Sequence, residues 1–193
     1  MLNKKIFITE SLKESSEIKL KVLESCSEDI IRVADIFVDC VKRGNKLLFC
    51  GNGGSAADCQ HIATEFMIRL SHDVKRPAIG AIALTTDSSN LTAGGNDIGF
   101  ENIFARNIEG IGNKGDVLIG ISTSGNSENI IRAVKKAKEK GLITIGLLGK
   151  TGGKLKNECD FSICIPTENV QRIQESHITI GHILCEITER EIY

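Results

Sequence analysis

The chain has 193 residues, a length that suits one domain able to bury roughly 70% of its unfolded surface. With 41% hydrophobic and 25% charged residues it reads as an ordinary globular protein, and no apolar run approaches the roughly 18 residues of a membrane span. A net charge of −1, seven Phe, one Tyr and no Trp argue against a generally basic nucleic-acid binder and against stacking platforms, so a ligand is expected to be held by hydrogen bonds and charge.

The opening stretch MLNKKIFITESLKESS has too short an apolar run for a signal-peptide core, so the expected compartment is the cytoplasm, with no membrane partner. Two helices are predicted next. Ser11–Cys26 carries a thin stripe of Leu12, Leu20 and Leu23, which either caps its own sheet or packs on a partner subunit. Ser27–Arg43 carries Ile30, Val33, Ala34, Phe37 and Val41 and can end at Gly44. Residues 1–45 thus form an N-terminal helical segment of a single domain spanning 1–193.

Beyond it, five near-continuous apolar runs read as strands covered on both faces: Lys46–Cys50, Ile79–Leu84, Val117–Ile121, Ile143–Leu148 and Phe161–Ile165. Helical periodicity fills Ser55–Leu70, Glu101–Ile111, Ser127–Lys140, with Ser127 as N-cap and Gly141 just past the end, and the closing Arg172–Tyr193. This alternation predicts an α/β fold: a three-layer, doubly wound, five-stranded parallel sheet. Ligands of such sheets bind beyond the carboxyl ends of the strands. The seven cysteines are odd in number and lack C-x-x-C spacing, so they are expected to be free, buried apolar residues.

Two loops stand out at those strand ends. Gly51-Asn52-Gly53-Gly54-Ser55-Ala56 runs from strand into helix, where glycines allow close approach and unpaired N–H groups attract an anion; it is also readable as a structural tight turn. A dinucleotide site would call for an acidic residue about 20 residues on, and the next acidic strand end is Asp87. Ser122, Thr123, Ser124 and Ser127 place four hydroxyls at another helix start, a neutral cradle for a phosphate monoester with no P-loop lysine.

Among titratable groups, His61 and Glu65 share a helix face, a workable metal pair that also arises by chance. Gln174 and His182 lie about 12 Å apart along a straight helix, so geometry alone does not bring them to one ion. His177 and His72 read as structural.

The segments CGNGGSAADCQHIATE, GISTSGNS and RIQESHITIGHILCE, in that order and spacing, resemble the phosphoheptose isomerases of the sugar isomerase (SIS) family, over essentially the whole chain. The resemblance implies the flavodoxin-like SIS fold, a homotetramer with sites built at subunit contacts, and one zinc ion per subunit. It implies interconversion of sedoheptulose 7-phosphate and D-glycero-D-manno-heptose 7-phosphate, the first step of activated-heptose synthesis for bacterial surface polysaccharide. By the same resemblance Asn52, Gly53, Gly54, Ser55, Asn96 and Asp97 line the sugar site, and Ser122, Thr123, Ser124 and Ser127 hold the phosphate. His61, Glu65, Gln174 and His182 match the zinc positions, with Glu65 and Gln174 also at the substrate and Glu65 and His182 the acid–base pair. Gln171 stands where some relatives have an Asp.

Three rivals are separated by particular residues. A non-enzymatic adaptor of the same fold departs from the pattern at the positions of Glu65 and His182; other SIS isomerases or regulators share the loops but not the His/Glu/Gln/His set; a nucleotide oxidoreductase is disfavoured by the serine loop.

Overall fold

The computed structural model describes residues 2–193; residue 1 of the predicted N-terminal segment lies outside the described residues. The segment's two predicted helices are one, α1 (Lys4–Lys42), capped by Asn3, whose Oδ1 accepts from the Ile6 amide at 3.2 Å. No glycine or proline interrupts the join. Ser25 and Ser27, which could have capped a new helix, bond back to the carbonyls of Lys21 and Leu23 four residues earlier, so their hydroxyls are satisfied inside a continuous helix. Gly44, at φ +74°, follows its end.

The sheet holds β1 (Leu47–Gly51), β2 (Ala81–Ala83), β3 (Val117–Ser122), β4 (Ile143–Gly149) and β5 (Phe161–Ile165), every pair parallel, in the order β2-β1-β3-β4-β5. β2 is shorter than the predicted Ile79–Leu84 because, as an edge strand paired only with β1, it has ladder partners for three residues. The helices are α2 (Gly54–Met67), α3 (Ser88–Asp97), α4 (Ile103–Ile111), α5 (Glu128–Glu139), the single turn α6 (Leu155–Glu158) and α7 (Val170–Ile192). The predicted Glu101–Ile111 helix is α4 preceded by a 3₁₀ turn, Phe100–Asn102.

Alternate strand residues feed two cores. Phe49, Ile119, Leu147 and Ile163 face α1, α2 and α7, while Leu48, Leu118 and Leu148 face α4 and α5. Both faces are covered, which is why the strands are apolar throughout. Six of the seven free cysteines are buried and Cys164 is half-buried. Burial pushes the thiols of Cys40, Cys159 and Cys185 up to about 12, so these are packing residues rather than nucleophiles.

His177 is fully buried, and its Nε2 donates to the Leu148 carbonyl at 3.1 Å. Burial disfavours the imidazolium and takes its pKa down to about 4, against 6.5 in an unfolded chain. The unfolded state therefore binds the extra proton first. Stability contributed by neutral His177 is complete above pH 6.5 and lost as pH falls towards 4, by about 1.4 kcal/mol per unit and on the order of 3 kcal/mol in total. Urea unfolding from pH 7 to pH 4.5 should show this slope, and His177→Gln should flatten it. An unchanged slope in the variant would assign the acid sensitivity elsewhere.

Candidate active site

The strand order reverses between β1 and β3, so the loops after these strands flank one crevice at their carboxyl ends. Asn52, after β1, and Asn129, in the first turn of α5 after β3, close the crevice from both sides. Asn52 Nδ2 donates to Asn129 Oδ1 at 3.0 Å, and Asn129 Nδ2 donates back to Asn52 Oδ1 at 2.9 Å. Asn129, 3% exposed, is not among the predicted site residues; an asparagine one residue inside a helix start is its only signal in the sequence.

In the glycine loop Gly53 and Gly54 are exposed and Ser55 is buried, and the Gln174 side chain of α7 reaches Gly54. A Cβ on Gly54 would sit 2.5 Å from Gln174 Nε2, so the absent side chain lets the Gln174 amide lie over the start of α2. This is where Gln174, eight residues from His182, meets the site: at the glycine loop.

The serine loop divides into scaffold and free hydroxyls. Ser122 is buried; its Oγ accepts from the Gly125 amide at 3.1 Å and lies 3.2 Å from Ser127 Oγ. Ser127 occupies the N-cap position of α5, but its hydroxyl faces Ser122 instead of a helix amide. Thr123 and Ser124 are the more open members, and Ser124 Oγ accepts from the Asn126 amide at 3.2 Å. Behind them a strap, residues 149–155, holds the loop: Leu155 N donates to the Gly125 carbonyl at 3.0 Å and Lys154 N to Asn126 Oδ1 at 3.1 Å.

His61 and Glu65 on α2 and His182 on α7 converge. The two imidazole Nε2 atoms are 2.8 Å apart, His61 Nε2 lies 3.3 Å from Glu65 Oε1, and the three donor atoms fall within 4.8 Å of one another. Two imidazoles and a carboxylate at such separations fit a zinc ion with an open coordination position, the arrangement of catalytic rather than structural zinc. Asp58, one turn before His61 on α2, lies outside the four-residue spacing that marks His61 and Glu65 in the sequence. Its Oδ2 is buried without a partner, and burial raises its carboxyl pKa while His61 pulls it down. Asn96 and Asp97 are not drawn into this cluster: they sit exposed at the end of α3, where Asn96 Nδ2 donates to Asp97 Oδ1 at 2.7 Å. Gln171 is exposed in the first turn of α7.

The SIS domain family pattern matches residues 12–149. A phosphoheptose isomerase of Clostridium acetobutylicum is 53% identical over 98% of this chain and 96% of its own length. Among solved structures, a phosphoheptose isomerase from Francisella tularensis superposes with a TM-score of 0.93 at 35% identity, covering 98% of this chain and 100% of that one. One from Neisseria gonorrhoeae gives 0.90 at 38% identity, covering 96% and 98%. The chain belongs to the phosphoheptose isomerase family of SIS domain enzymes. With family relatives matching along nearly its whole length, the adaptor and oxidoreductase readings lose their ground. No helix among the described residues is long and apolar enough to cross a membrane.

Proposed function

We propose that the protein interconverts sedoheptulose 7-phosphate and D-glycero-D-manno-heptose 7-phosphate through an enediol, in the cytoplasm, as the first step of activated-heptose synthesis for a bacterial surface polysaccharide. The observation that carries this is the convergence of His61, Glu65 and His182 beside the crevice that the serine and glycine loops flank. The whole of 1–193 acts as one SIS domain.

In this reading Thr123, Ser124 and Ser127 hydroxyls and the amides opening α5 bind the phosphate, with Ser122 shaping the loop. Asn52, Gly53, Gly54 and Ser55, with Gln174 above them, take the sugar. Asn96 and Asp97 join them only if a neighbouring subunit or a bound substrate brings that end of α3 to a site. The Glu65 carboxylate moves the carbon-bound proton between C1 and C2, and the His182 imidazole moves the oxygen-bound proton between O1 and O2. His61, Glu65 and His182, with Gln174 as a fourth candidate, would hold one zinc ion, which when bound supplies Lewis-acid polarisation of the sugar carbonyl.

The test is an NMR assay of the purified protein with sedoheptulose 7-phosphate. Anomeric signals of the aldoheptose phosphate should grow to an equilibrium mixture; an unchanged ketose spectrum in the presence of zinc would overturn the assignment. Ser124→Ala removes one charge-assisted hydrogen bond to the phosphate and should weaken substrate binding by roughly 1–2 kcal/mol with kcat largely kept. An unchanged KM would move the phosphate away from this loop.

A homotetramer is part of the same reading. Leu20, Leu23 and Ile31 on α1 and Ile183 on α7 are exposed apolar side chains, and Leu23, Ile31 and Ile183 line an apolar hollow of about 300 Å³ between the two helices, a surface suited to a second copy. Light scattering should report four chains, with specific activity falling on dilution as they separate. A fully active monomer would overturn the shared-site assembly.

A further inference from the structure

Between α2 and β2 the chain makes a loop, and one of its side chains, Arg76, is fully enclosed against Glu189 of α7: both side chains are 0% exposed. Arg76 Nε donates to Glu189 Oε1 at 2.7 Å, and Nη1 donates to the Pro77 carbonyl at 3.0 Å. Glu189 also accepts the amides of Leu70 and Ser71, each at 3.1 Å. Burial raises the Glu189 carboxyl, but these amides and the guanidinium outweigh it and hold the pKa below the ordinary range, so the pair is ionised.

The remaining bond gives the pair its place in the site. Arg76 Nη2 donates at 2.8 Å to the main-chain carbonyl of Glu65 itself. At the end of α2 the carbonyls have run out of helical amides. That of Thr64 takes the Ile68 amide and that of Phe66 takes the Ile79 amide, which leaves the Glu65 carbonyl to Arg76. At the other end of the pair, Glu189 lies seven residues, or two helical turns, beyond His182, on the same side of α7. One guanidinium therefore ties the backbone of Glu65 to the helix that carries His182.

A buried ion pair is weak evidence for stability, because the desolvation of two charges offsets most of their attraction. We propose that the Arg76–Glu189 pair is a positioning device: it fixes the register of α2 against α7, and so the separation of the Glu65 carboxylate from the His61 and His182 imidazoles. The inference rests on the roles given above to Glu65 and His182. The fork of Arg is what allows one side chain to serve the carboxylate and the carbonyl together, which a lysine ammonium at a single point does not reproduce.

Two variants test it. Arg76→Lys keeps a buried cation against Glu189 but gives up the second attachment. Arg76→Gln with Glu189→Gln removes both charges together, so no charge is stranded. For each, kcat and KM are measured with sedoheptulose 7-phosphate at saturating zinc, zinc affinity by chelator competition, and folding by thermal melting. The expected result is a folded protein whose kcat falls 10- to 100-fold with KM within about threefold, and whose zinc dissociation constant rises 10- to 100-fold, the usual effect of losing support behind a metal ligand. Variants with kcat and zinc affinity within about twofold of wild type, whatever their melting temperature, would reduce the pair to a stability element. So would an unfolded Arg76→Lys; an unfolded double variant leaves Arg76→Lys to decide. Failure of the isomerase reading is seen separately, in a wild type that does not turn over the sugar, and zinc affinity then decides the inference without substrate. A wild type that neither turns over the sugar nor binds zinc ends both.

Discussion

Glu65→Gln is expected to lower kcat at least about 100-fold while substrate still binds, because a positioned base typically contributes that much and the amide cannot accept the carbon proton. The split between kcat and binding follows from where the residues lie. In the proposed function the serine loop and the glycine loop hold the ground-state sugar while Glu65 and His182 act only as protons move, and interactions made only in the transition state appear in kcat. His182→Asn should show a loss of similar size, accompanied by weaker zinc binding. Folding should survive in both, since Glu65 and His182 are partly exposed and neither change opens an apolar cavity. Single-turnover kinetics, substrate titration and a zinc assay on the same preparations check each part. Near-normal turnover by folded Glu65→Gln would remove the carboxylate from the chemistry and leave it a ligand only.

The second large effect is expected at Gly125, which is not part of the His61/Glu65/His182 cluster. Its φ of +65° costs an L-residue about 1–2 kcal/mol. More important, a Cβ there would run into the carbonyl oxygen of Gly152 in the strap behind the serine loop, where backbone rather than a flexible side chain must yield. Gly125→Ala should therefore push the strap away, break the bond from the Leu155 amide and loosen Ser124. The expected outcome is a KM raised at least about tenfold, the effect of one or more lost charge-assisted hydrogen bonds, and a melting temperature lower by roughly 4–8 °C for about 2 kcal/mol. A variant with wild-type KM and melting temperature would show that the strap does not brace the cradle.

These two sites also mark how far the sequence can be read. The sheet is legible because strands covered on both faces, such as the stretches Leu118–Ile121 and Ile145–Leu148, can hardly be anything but apolar. The two loops are legible because glycines and hydroxyls gathered at strand ends suit the close approach of a ligand to backbone amides. His61 and Glu65 follow from helical spacing, but their meeting with His182 is a tertiary fact that no local pattern encodes; resemblance implies it, and it appears as contact only in the fold. α3 leaves no trace in the pattern because none of its residues is fully buried, only Leu91 among its large apolar side chains packs half-buried against the core, and it carries Gly94 and Gly95, so it has no apolar period to find. The break expected near Ser27 does not occur, because that serine bonds within its own helix. Arg76 and Glu189 lie 113 residues apart, and each alone reads as a surface charge.

The reciprocal amides of Asn52 and Asn129 bear on what the crevice can admit. They join its two walls with a clasp that carries no net charge, each amide giving and receiving one hydrogen bond. An aspartate in place of either asparagine could still accept a hydrogen bond across the crevice, but its carboxylate would face any incoming phosphate. At a separation of about 5 Å and an effective dielectric near 20, that repulsion is about 3 kcal/mol for each unit of ligand charge. Two asparagines brace the entrance without opposing an anion, and they stay braced at every pH at which the protein is folded, since neither amide titrates.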